Sequence, residues 1–219
     1  KLCAVSRYCD FPEGVCSVTA GSSENPDIDK LTELAPDVLF TFTPLAEREK
    51  YALESAGVTV VALTPPESIQ DYARIYGTVA TVFSGLEAGA EAAANAEQSL
   101  QEAAKSVKLG TFVYITPKLT AAGAGTFENA VLSLCGTNAC TSDGYCETSD
   151  VIADAPDYII VSDELTEADI SGSDVFSNIA ADAEIIFVPS ARFERPSARL
   201  ADVFTAIENA LSGAQQTAE

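Results

Sequence analysis

The chain has 219 residues and a formal net charge of −21, from 33 acidic and only 12 basic residues. This length permits one large domain or two lobes that each bury a hydrophobic core. The charge argues against nucleic acid and anionic membrane surfaces as partners, because an acidic protein repels phosphate groups. No apolar run in the sequence approaches the roughly 20 residues of a membrane-spanning helix.

The first part of the sequence alternates between strand-like and helix-like segments. Residues 2–5 predict a short strand, and residues 26–34 predict a helix with acidic residues in its first turn. The motif APD at 35–37 ends that helix, because proline cannot continue it, and a strand-favouring run follows directly. A further helix ends at Gly57 and leads into a second apolar run. We therefore predict an α/β lobe over residues 1–66.

Residues 67–108 have a different composition, dominated by alanine, glutamate and glutamine. Strand-forming residues become rare, and the glycines in the segment are Gly77, Gly85 and Gly89. We predict one long, bent helix that links and braces two lobes. The alternative is a pair of ordinary surface helices.

Residues 109–211 predict a second α/β lobe. The motif APD returns at 155–157, again directly before an apolar run. The predicted elements are a strand at 111–116, a helix at 127–134, a cysteine-bearing loop, a helix at 148–154, strands at 158–161 and 185–188 with a helix at 175–181 between them, and a last helix from Pro196 to Leu211. Residues 212–219 are expected to form a solvated tail.

The repeated motif predicts two doubly wound α/β lobes joined by the long helix, with the ligand in a cleft between them. Ligands of such sheets contact the loops at the carboxyl ends of the parallel strands. Those loops carry Phe42, Lys118, Arg192, Phe193 and Arg195, and Tyr8 and Phe11 are candidates near the start of the chain. Rings and guanidinium groups suit a medium-sized ligand with flat faces and anionic groups. The alternatives are core packing for each ring and surface solvation or a helix-end contact for each arginine.

Six cysteines form two clusters, Cys3, Cys9 and Cys16 near the start and Cys135, Cys140 and Cys146 later. The spacing is unlike that of a zinc site, and the chain has no histidine. Disulfides within the clusters are therefore expected, in an oxidising compartment, with the pairing left open. The alternative is a set of reduced, buried thiols.

The absence of histidine excludes Ser-His-Asp and Cys-His catalysis and imidazole metal ligands. No pair of carboxylates is marked by its spacing as an acid and base couple. We therefore expect a protein without enzymatic activity and without a resident cofactor or metal. Two alternatives remain, an extracellular disulfide-stabilised domain that binds another protein, and an α/β enzyme that uses carboxylates.

Several segments resemble class III substrate-binding proteins of ABC importers, which capture vitamin B12 or ferric siderophores outside the membrane. The resemblance covers nearly the whole chain and is carried by VSRYCDFP at 5–12, the LAPDVL core of 28–39, residues 57–63, FENAVLSLCGTN at 127–138 and RPSARL at 195–200. It implies a pocket lined by Tyr8, Phe42 and the region of Thr120, with Arg192 and Phe193 as further contacts. Arg195 and Arg199 belong to a motif that can serve a purely structural role in the family.

The resemblance also implies docking on a permease through one carboxylate on each lobe. Asp29 falls at the first docking position, where glutamate is usual in the family. The second position falls at Ser149, so Glu147 and Asp150 are the candidate substitutes. Family members carry a strand and helix before the segment that matches residues 2–5. We therefore expect an incomplete first lobe that is prone to self-association.

These observations together predict a binding protein that presents a cobalamin or a ferric siderophore to an ABC importer permease. Cobalamin is favoured narrowly over the siderophore. The absence of histidine argues against the related receptors for free zinc or manganese, which hold their ion with imidazoles, and does not distinguish between whole chelates. The expected location is extracytoplasmic, as a periplasmic protein or a cell-surface lipoprotein of a bacterium that does not span the membrane. The first residues are no signal peptide, so export implies that a signal has been removed.

Overall fold

The computed structural model describes residues 2–147, 156–172 and 183–217, without the side chains of Ser171 and of residues 214–217. The chain forms two compact units, Lys1–Pro65 and Pro66–Glu219. The helices predicted at 148–154 and 175–181 lie outside the described residues.

The first unit contains the alternating helices and strands that the sequence predicts. They are α1 (Ile28–Leu34), β1 (Val38–Thr41), α2 (Glu47–Ser55) and β2 (Thr59–Ala62). The two strands are parallel, and Leu31, Leu53 and Val58 are buried between strands and helices. The strand predicted at 2–5 does not form. Among these residues, Val5 makes an isolated bridge with Thr19.

The segment predicted as one long helix forms two, α3 (Ile69–Ser84) and α4 (Leu86–Ala104). Gly85 separates them with a positive φ of 88°, which favours glycine and reverses the chain. The helices pack against each other so closely that a Cβ added to Gly77 would lie 3.1 Å from the carbonyl oxygen of Gly89. The prediction of a single bracing helix is therefore wrong, because its glycines serve as a turn and as a packing contact.

The described residues of the second unit form a six-stranded sheet. Its strands are β3 (Thr111–Ile115), β4 (Thr120–Ala122), β5 (Thr137–Asn138), β6 (Tyr145–Glu147), β7 (Tyr158–Ser162) and β8 (Glu184–Val188). The order is β6-β4-β3-β7-β8, and β5 also pairs with β3. Strands β5 and β7 pair with β3 in parallel, and β8 pairs with β7 in parallel. Strand β4 runs antiparallel to both β3 and β6.

Apolar side chains cover both faces of this sheet. Along β3, Phe112 and Tyr114 belong to one buried cluster, and Val113 and Ile115 belong to another, as the alternation of a strand requires. We call these the first face and the second face. The first face packs against side chains from α3, α4 and the later helices. On the second face, Ile170 of the short helix Glu167–Ser171 belongs to the same buried cluster as Val113 and Ile115. Helices therefore lie on both faces of the sheet, which confirms the predicted α/β class.

The remaining helices in the described part of the second unit are α5 (Phe127–Leu132), α6 (Glu167–Ser171), α7 (Ala191–Glu194), a 3-10 turn (Ala198–Ala201) and α8 (Asp202–Thr217). The last helix does not begin at Pro196 as predicted. The Ser197 hydroxyl accepts a hydrogen bond from the Arg199 amide at 3.3 Å, which starts a 3-10 turn before α8. Helix α8 continues to Thr217, through most of the predicted tail, because alanine and glutamine favour helix.

The second APD motif joins two strands through its carboxylate. Asp157 Oδ2 accepts hydrogen bonds from the Thr111 amide at 2.7 Å and from the Thr111 hydroxyl at 2.8 Å. The Asp157 amide in turn donates to Thr111 Oγ1 at 3.0 Å. The amide and hydroxyl of Thr111 hold the pKa of the Asp157 carboxyl below its usual value. In the first copy, the backbone carbonyl of Asp37 accepts from the Thr59 amide at 3.0 Å.

We expect Asp157→Asn to lower the urea midpoint of unfolding at pH 7. Because the folded-state pKa lies below the unfolded value of about 3.9, the contribution of this carboxylate is complete above that value. It is lost as the pH falls through the folded-state pKa, so the gap between variant and wild type should close in acid. Asp37→Asn is the matched control, since its bond to Thr59 uses the backbone. A difference in urea midpoint between wild type and Asp157→Asn that stays the same in acid contradicts the stabilising role of the Asp157 carboxylate.

Candidate functional site

The carboxyl end of β3 is a tight polar turn. Thr116 Oγ1 accepts hydrogen bonds from the amides of Lys118 at 3.2 Å and Thr120 at 3.3 Å. The hydroxyl groups of Thr116 and Thr120 lie 2.7 Å apart. The backbone of the same two threonines is joined at 2.9 Å, from the Thr116 amide to the Thr120 carbonyl oxygen. The turn therefore presents an exposed Lys118 side chain beside the half-buried Thr120 hydroxyl.

The loops after β7 and β8 are joined at the same edge of the sheet. The amide and hydroxyl of Ser190 donate to Asp163 Oδ1 at 3.1 and 3.2 Å, and the hydroxyl lies 3.4 Å from Glu164 Oε1. Ser162 Oγ accepts from the Glu164 amide at 3.1 Å. Ser190 is 2% exposed, so water does not compete for these hydrogen bonds. The bonds hold the two loops together. The sequence reasoning missed this cluster, although each member follows directly on an apolar strand.

Arg192 and Phe193 take structural positions in α7. Arg192 Nε donates to Asp202 Oδ2 at 3.0 Å, and the Arg192 side chain is 22% exposed. Phe193 is 6% exposed and packs edge-on against Tyr114, with ring centroids 5.2 Å apart. Phe193 is therefore a core residue, as the alternative for each ring allows. Arg192 forms an ion pair with Asp202 at the start of α8. We therefore leave both out of the proposed ligand contacts.

The first unit exposes aromatic rings at two of the predicted positions. The Tyr8 ring is 55% exposed and lies beneath the Arg7 guanidinium, whose central carbon is 5.3 Å from the ring centroid. Phe42 follows β1 and is 36% exposed. Thr41 holds this turn, because its hydroxyl donates to the Thr43 carbonyl oxygen at 2.9 Å and accepts from the Thr43 amide at 3.2 Å. The Phe42 backbone is thereby fixed while its ring faces solvent.

Two of the predicted docking carboxylates are described, and both are exposed. Asp29 lies in the first turn of α1, and Glu147 is the last residue of β6. Glu147 pairs directly with Thr120 of β4, so it borders the polar turn after β3. Asp150 and Ser149 lie outside the described residues.

Two tyrosines of the second unit are held in their protonated form. Burial, with a smaller effect of nearby carboxylates, raises the pKa of Tyr114. Burial and the Glu128 carboxylate raise the pKa of Tyr145, whose hydroxyl donates to Glu128 at 2.8 and 3.0 Å to its two oxygens. The Tyr145 hydroxyl is therefore a neutral donor to the Glu128 carboxylate at physiological pH.

Neither a cluster of metal ligands nor a membrane-spanning helix is present among the described residues. No group of three or more acidic or cysteine side chains among them is placed to hold a metal ion. None of the helices in the described ranges combines the length and apolar character that crossing a bilayer demands. A groove of about 590 Å³ runs along α3 and α4, and its walls contain none of the predicted ligand residues that the structure describes.

Solved structures share this fold at low sequence identity. The periplasmic heme-binding protein BhuT, in complex with two hemes, is 19% identical with a TM-score of 0.75, over 98% of this chain and 89% of that chain. The periplasmic heme-binding protein HutB of Vibrio cholerae is 16% identical with a TM-score of 0.73, over 95% and 89%. The periplasmic vitamin B12 binding protein BtuF of Vibrio cholerae is 21% identical with a TM-score of 0.64, over 98% and 89%. At these identities the likeness establishes the fold alone.

A family model described as periplasmic binding protein matches residues 3–185. No curated protein sequence matches the chain. Proteins of this family bind small-molecule solutes outside the cytoplasm and work with ABC importer permeases; they are not enzymes. The match confirms the resemblance inferred from the sequence, and it covers far more than half of the chain. The chain belongs to the periplasmic binding protein family.

Proposed function

We propose that the chain captures a corrinoid of the vitamin B12 type and delivers it to the permease of an ABC importer. The observation that carries this proposal is the exposure of the Tyr8 and Phe42 rings in a chain with a net charge of −21. Exposed rings offer flat apolar area to a macrocycle, because aromatic faces stack against other flat faces at little entropic cost.

The charge favours a neutral ligand over an anionic one. Haem carries two carboxylates and many ferric siderophores are anionic, whereas the corrin ring is surrounded by uncharged amides. A protein with 33 acidic and 12 basic residues repels anions over long range. Arg192 is already paired with Asp202, so Lys118 is the cationic residue that we keep among the proposed ligand contacts.

The polar groups at the edge of the sheet suit amide side chains. The Thr120 hydroxyl and the backbone of its turn can both donate and accept hydrogen bonds, as the amides of a corrin ring require. A corrinoid also needs no imidazole from the protein, since its cobalt is held by the macrocycle and carries its own axial ligands. The lack of histidine is therefore compatible with this cargo.

Haem is the second candidate, because BhuT and HutB are heme-binding proteins and the haem ring also has flat faces. The ferric siderophore predicted from the sequence remains a third ligand in the tests. The proposal places the protein in the periplasm or, with a lipid anchor, at the cell surface of a bacterium. Asp29, Glu147 and Asp150 are the proposed carboxylates for docking on the permease.

We expect Phe42→Ala to weaken cyanocobalamin binding by roughly 5- to 10-fold. About a third of the Phe42 surface is exposed and can be buried by the ligand. Burying that area contributes about 1 kcal/mol of binding free energy. Each 1.4 kcal/mol changes the dissociation constant tenfold. Fluorescence quenching on titration with cyanocobalamin measures the dissociation constant of each variant.

Tyr51→Ala is the matched control for this experiment. Tyr51 is a 74% exposed aromatic residue of the same unit, but it lies on α2 and not in a loop at the carboxyl end of a strand, so its loss should leave affinity unchanged. Equal affinities for wild type and Phe42→Ala would remove Phe42 from the site. Equal losses in Phe42→Ala and Tyr51→Ala would show a general effect on the unit.

A further inference from the structure

Two cysteines of the second cluster lie with their sulfur atoms in contact. Cys140 Sγ and Cys146 Sγ are 3.5 Å apart, in an arrangement where either thiol can donate to the other. Cys140 is 6% exposed, and Cys146 is half-buried on β6. Only five residues separate them in the chain, so the segment between the two thiols forms a closed loop.

Fixed backbone holds both thiols in place. The Cys140 amide donates to Asn138 Oδ1 at 2.9 Å, directly after β5. Cys146 is paired with Ala121 of β4, and its sulfur lies 3.5 Å from the Ala121 carbonyl oxygen. A Cβ added to Gly123 would lie 3.0 Å from Cys140 Sγ, so the backbone of this glycine packs against the thiol. The contact therefore belongs to the sheet and not to a loose loop.

The third cysteine of this cluster is in a different environment. Cys135 belongs to the core on the first face of the sheet, whereas Cys140 and Cys146 pack on the second face. The Cys135 thiol donates to the Leu132 carbonyl oxygen at 3.2 Å, and burial raises its pKa to about 12. The sheet thus separates Cys135 from the other two thiols, which leaves one pairing for this cluster.

We propose that Cys140 and Cys146 form an intrachain disulfide when the protein meets a disulfide oxidant, and that Cys135 stays a thiol. The oxidant is a small-molecule disulfide or the disulfide of an oxidoreductase. This pairing goes beyond the proposed function and does not depend on the identity of the ligand. An extracytoplasmic location supplies the oxidising environment that such a bond needs.

The reaction is two successive thiol-disulfide exchanges. The more accessible Cys146, as its thiolate, attacks one sulfur of the oxidant, breaks the S–S bond and releases one thiolate. Cys140, as its thiolate, then attacks Cys146 Sγ in the mixed disulfide, forms the intrachain bond and releases the second thiolate. The two cysteines are oxidised, the oxidant is reduced to two thiols, and both protons end on the released sulfurs. Burial raises the pKa of Cys140 and makes its thiolate scarce, so the second step relies on the 3.5 Å contact between the two sulfur atoms.

The bond would attach β6 to the segment that follows β5. Strand β6 has three residues, and β4 is its only partner among the strands that the structure describes. Its last residue is Glu147, which borders the turn after β3. A disulfide at Cys146 therefore restrains the strand that carries one proposed docking carboxylate. The expected result is a more rigid β4–β6 edge in the oxidised protein.

Mass mapping of the wild-type chain tests the pairing directly. The protein is incubated with oxidised glutathione, alkylated under denaturing conditions without reduction, and digested with a protease that cuts between the two cysteines. We expect a linked Cys140–Cys146 peptide pair 2 Da below the sum of the free peptides, with Cys135 alkylated. Alkylation of both Cys140 and Cys146, or a link from either to another cysteine, would overturn the proposal.

Thermal unfolding of Cys140→Ala, Cys146→Ala and the double variant gives an independent test. Closing a loop of this size should raise the Tm of the oxidised protein by about 4 to 8 °C. Each single variant loses the whole bond, so the double variant should lose little more than either one. The differences should shrink when every sample is reduced. Additive losses that survive reduction would mean that the thiols contribute packing only.

Discussion

Phe112→Ala is expected to destabilise the second unit by about 3 to 5 kcal/mol. Phe112 lies on β3 in the middle of the sheet, pairs with residues of both β5 and β7, and is 0% exposed on the first face. Deleting its ring removes buried apolar area and leaves a cavity lined by fixed side chains. Urea unfolding, followed by circular dichroism, measures the loss of free energy.

Phe112→Leu is the matched control, because it keeps an apolar side chain of similar reach. It should cost less than about 1.5 kcal/mol if the neighbours repack around it. A loss below 1 kcal/mol for the alanine variant would contradict the position of Phe112 in this core. The ligand plays no part in this experiment, so its outcome bears on the fold alone.

Gly89→Leu is expected to cost about 2 to 3 kcal/mol by forcing α3 and α4 apart. A Cβ at this position would collide with the Thr81 hydroxyl and lie 2.9 Å from the carbonyl oxygen of Gly77. The backbone oxygen cannot rotate away, so the helices must separate. The loss appears as a lower urea midpoint.

Gly213→Leu is the control for helix propensity. A Cβ at Gly213 in α8 meets no atom within 4 Å, so leucine there should leave stability unchanged or raise it by up to about 1 kcal/mol. Equal effects at Gly89 and Gly213 would contradict the close contact of α3 with α4.

The sequence predicts the longer parallel strands well, because their signals are local and strong. Both APD motifs are followed by strands, β1 from Val38 and β7 from Tyr158, and the later apolar runs are β2 and β8. Proline ends the preceding segment, and continuous apolar residues are typical of strands buried on both faces. These signals need no information from distant parts of the chain.

Other elements depend on tertiary contacts and are missed for that reason. Strands β4, β5 and β6 have two or three residues each. Pairing with neighbouring strands determines their conformation, and the strand propensity of so few residues gives little signal in the sequence. The glycines of 67–108 look alike in the sequence. Only the fold shows that Gly85 is a turn and that Gly77 and Gly89 are a helix contact.

The candidate site is predictable in part. Position after a strand correctly indicates that Phe42 and Lys118 are exposed, because loops at strand ends lie on the surface. The same rule fails for Phe193, whose loop folds into a short helix that turns the ring into the core. The partner of Arg192 is also invisible in the sequence, since Asp202 becomes its neighbour only when α8 forms. The ligand cleft expected from the sequence stays a prediction.

The most direct test of the proposed function is calorimetric titration of the wild-type chain with cyanocobalamin, hemin and a ferric siderophore in parallel. We expect saturable one-to-one binding of cyanocobalamin, tighter than that of either anionic chelate. The same ligand at one hundred times its dissociation constant should add about 2.7 kcal/mol to the stability of the folded protein. Binding of hemin or the siderophore with no heat from cyanocobalamin would contradict a corrinoid cargo, and no binding of any of the three would contradict the capture of a metal chelate.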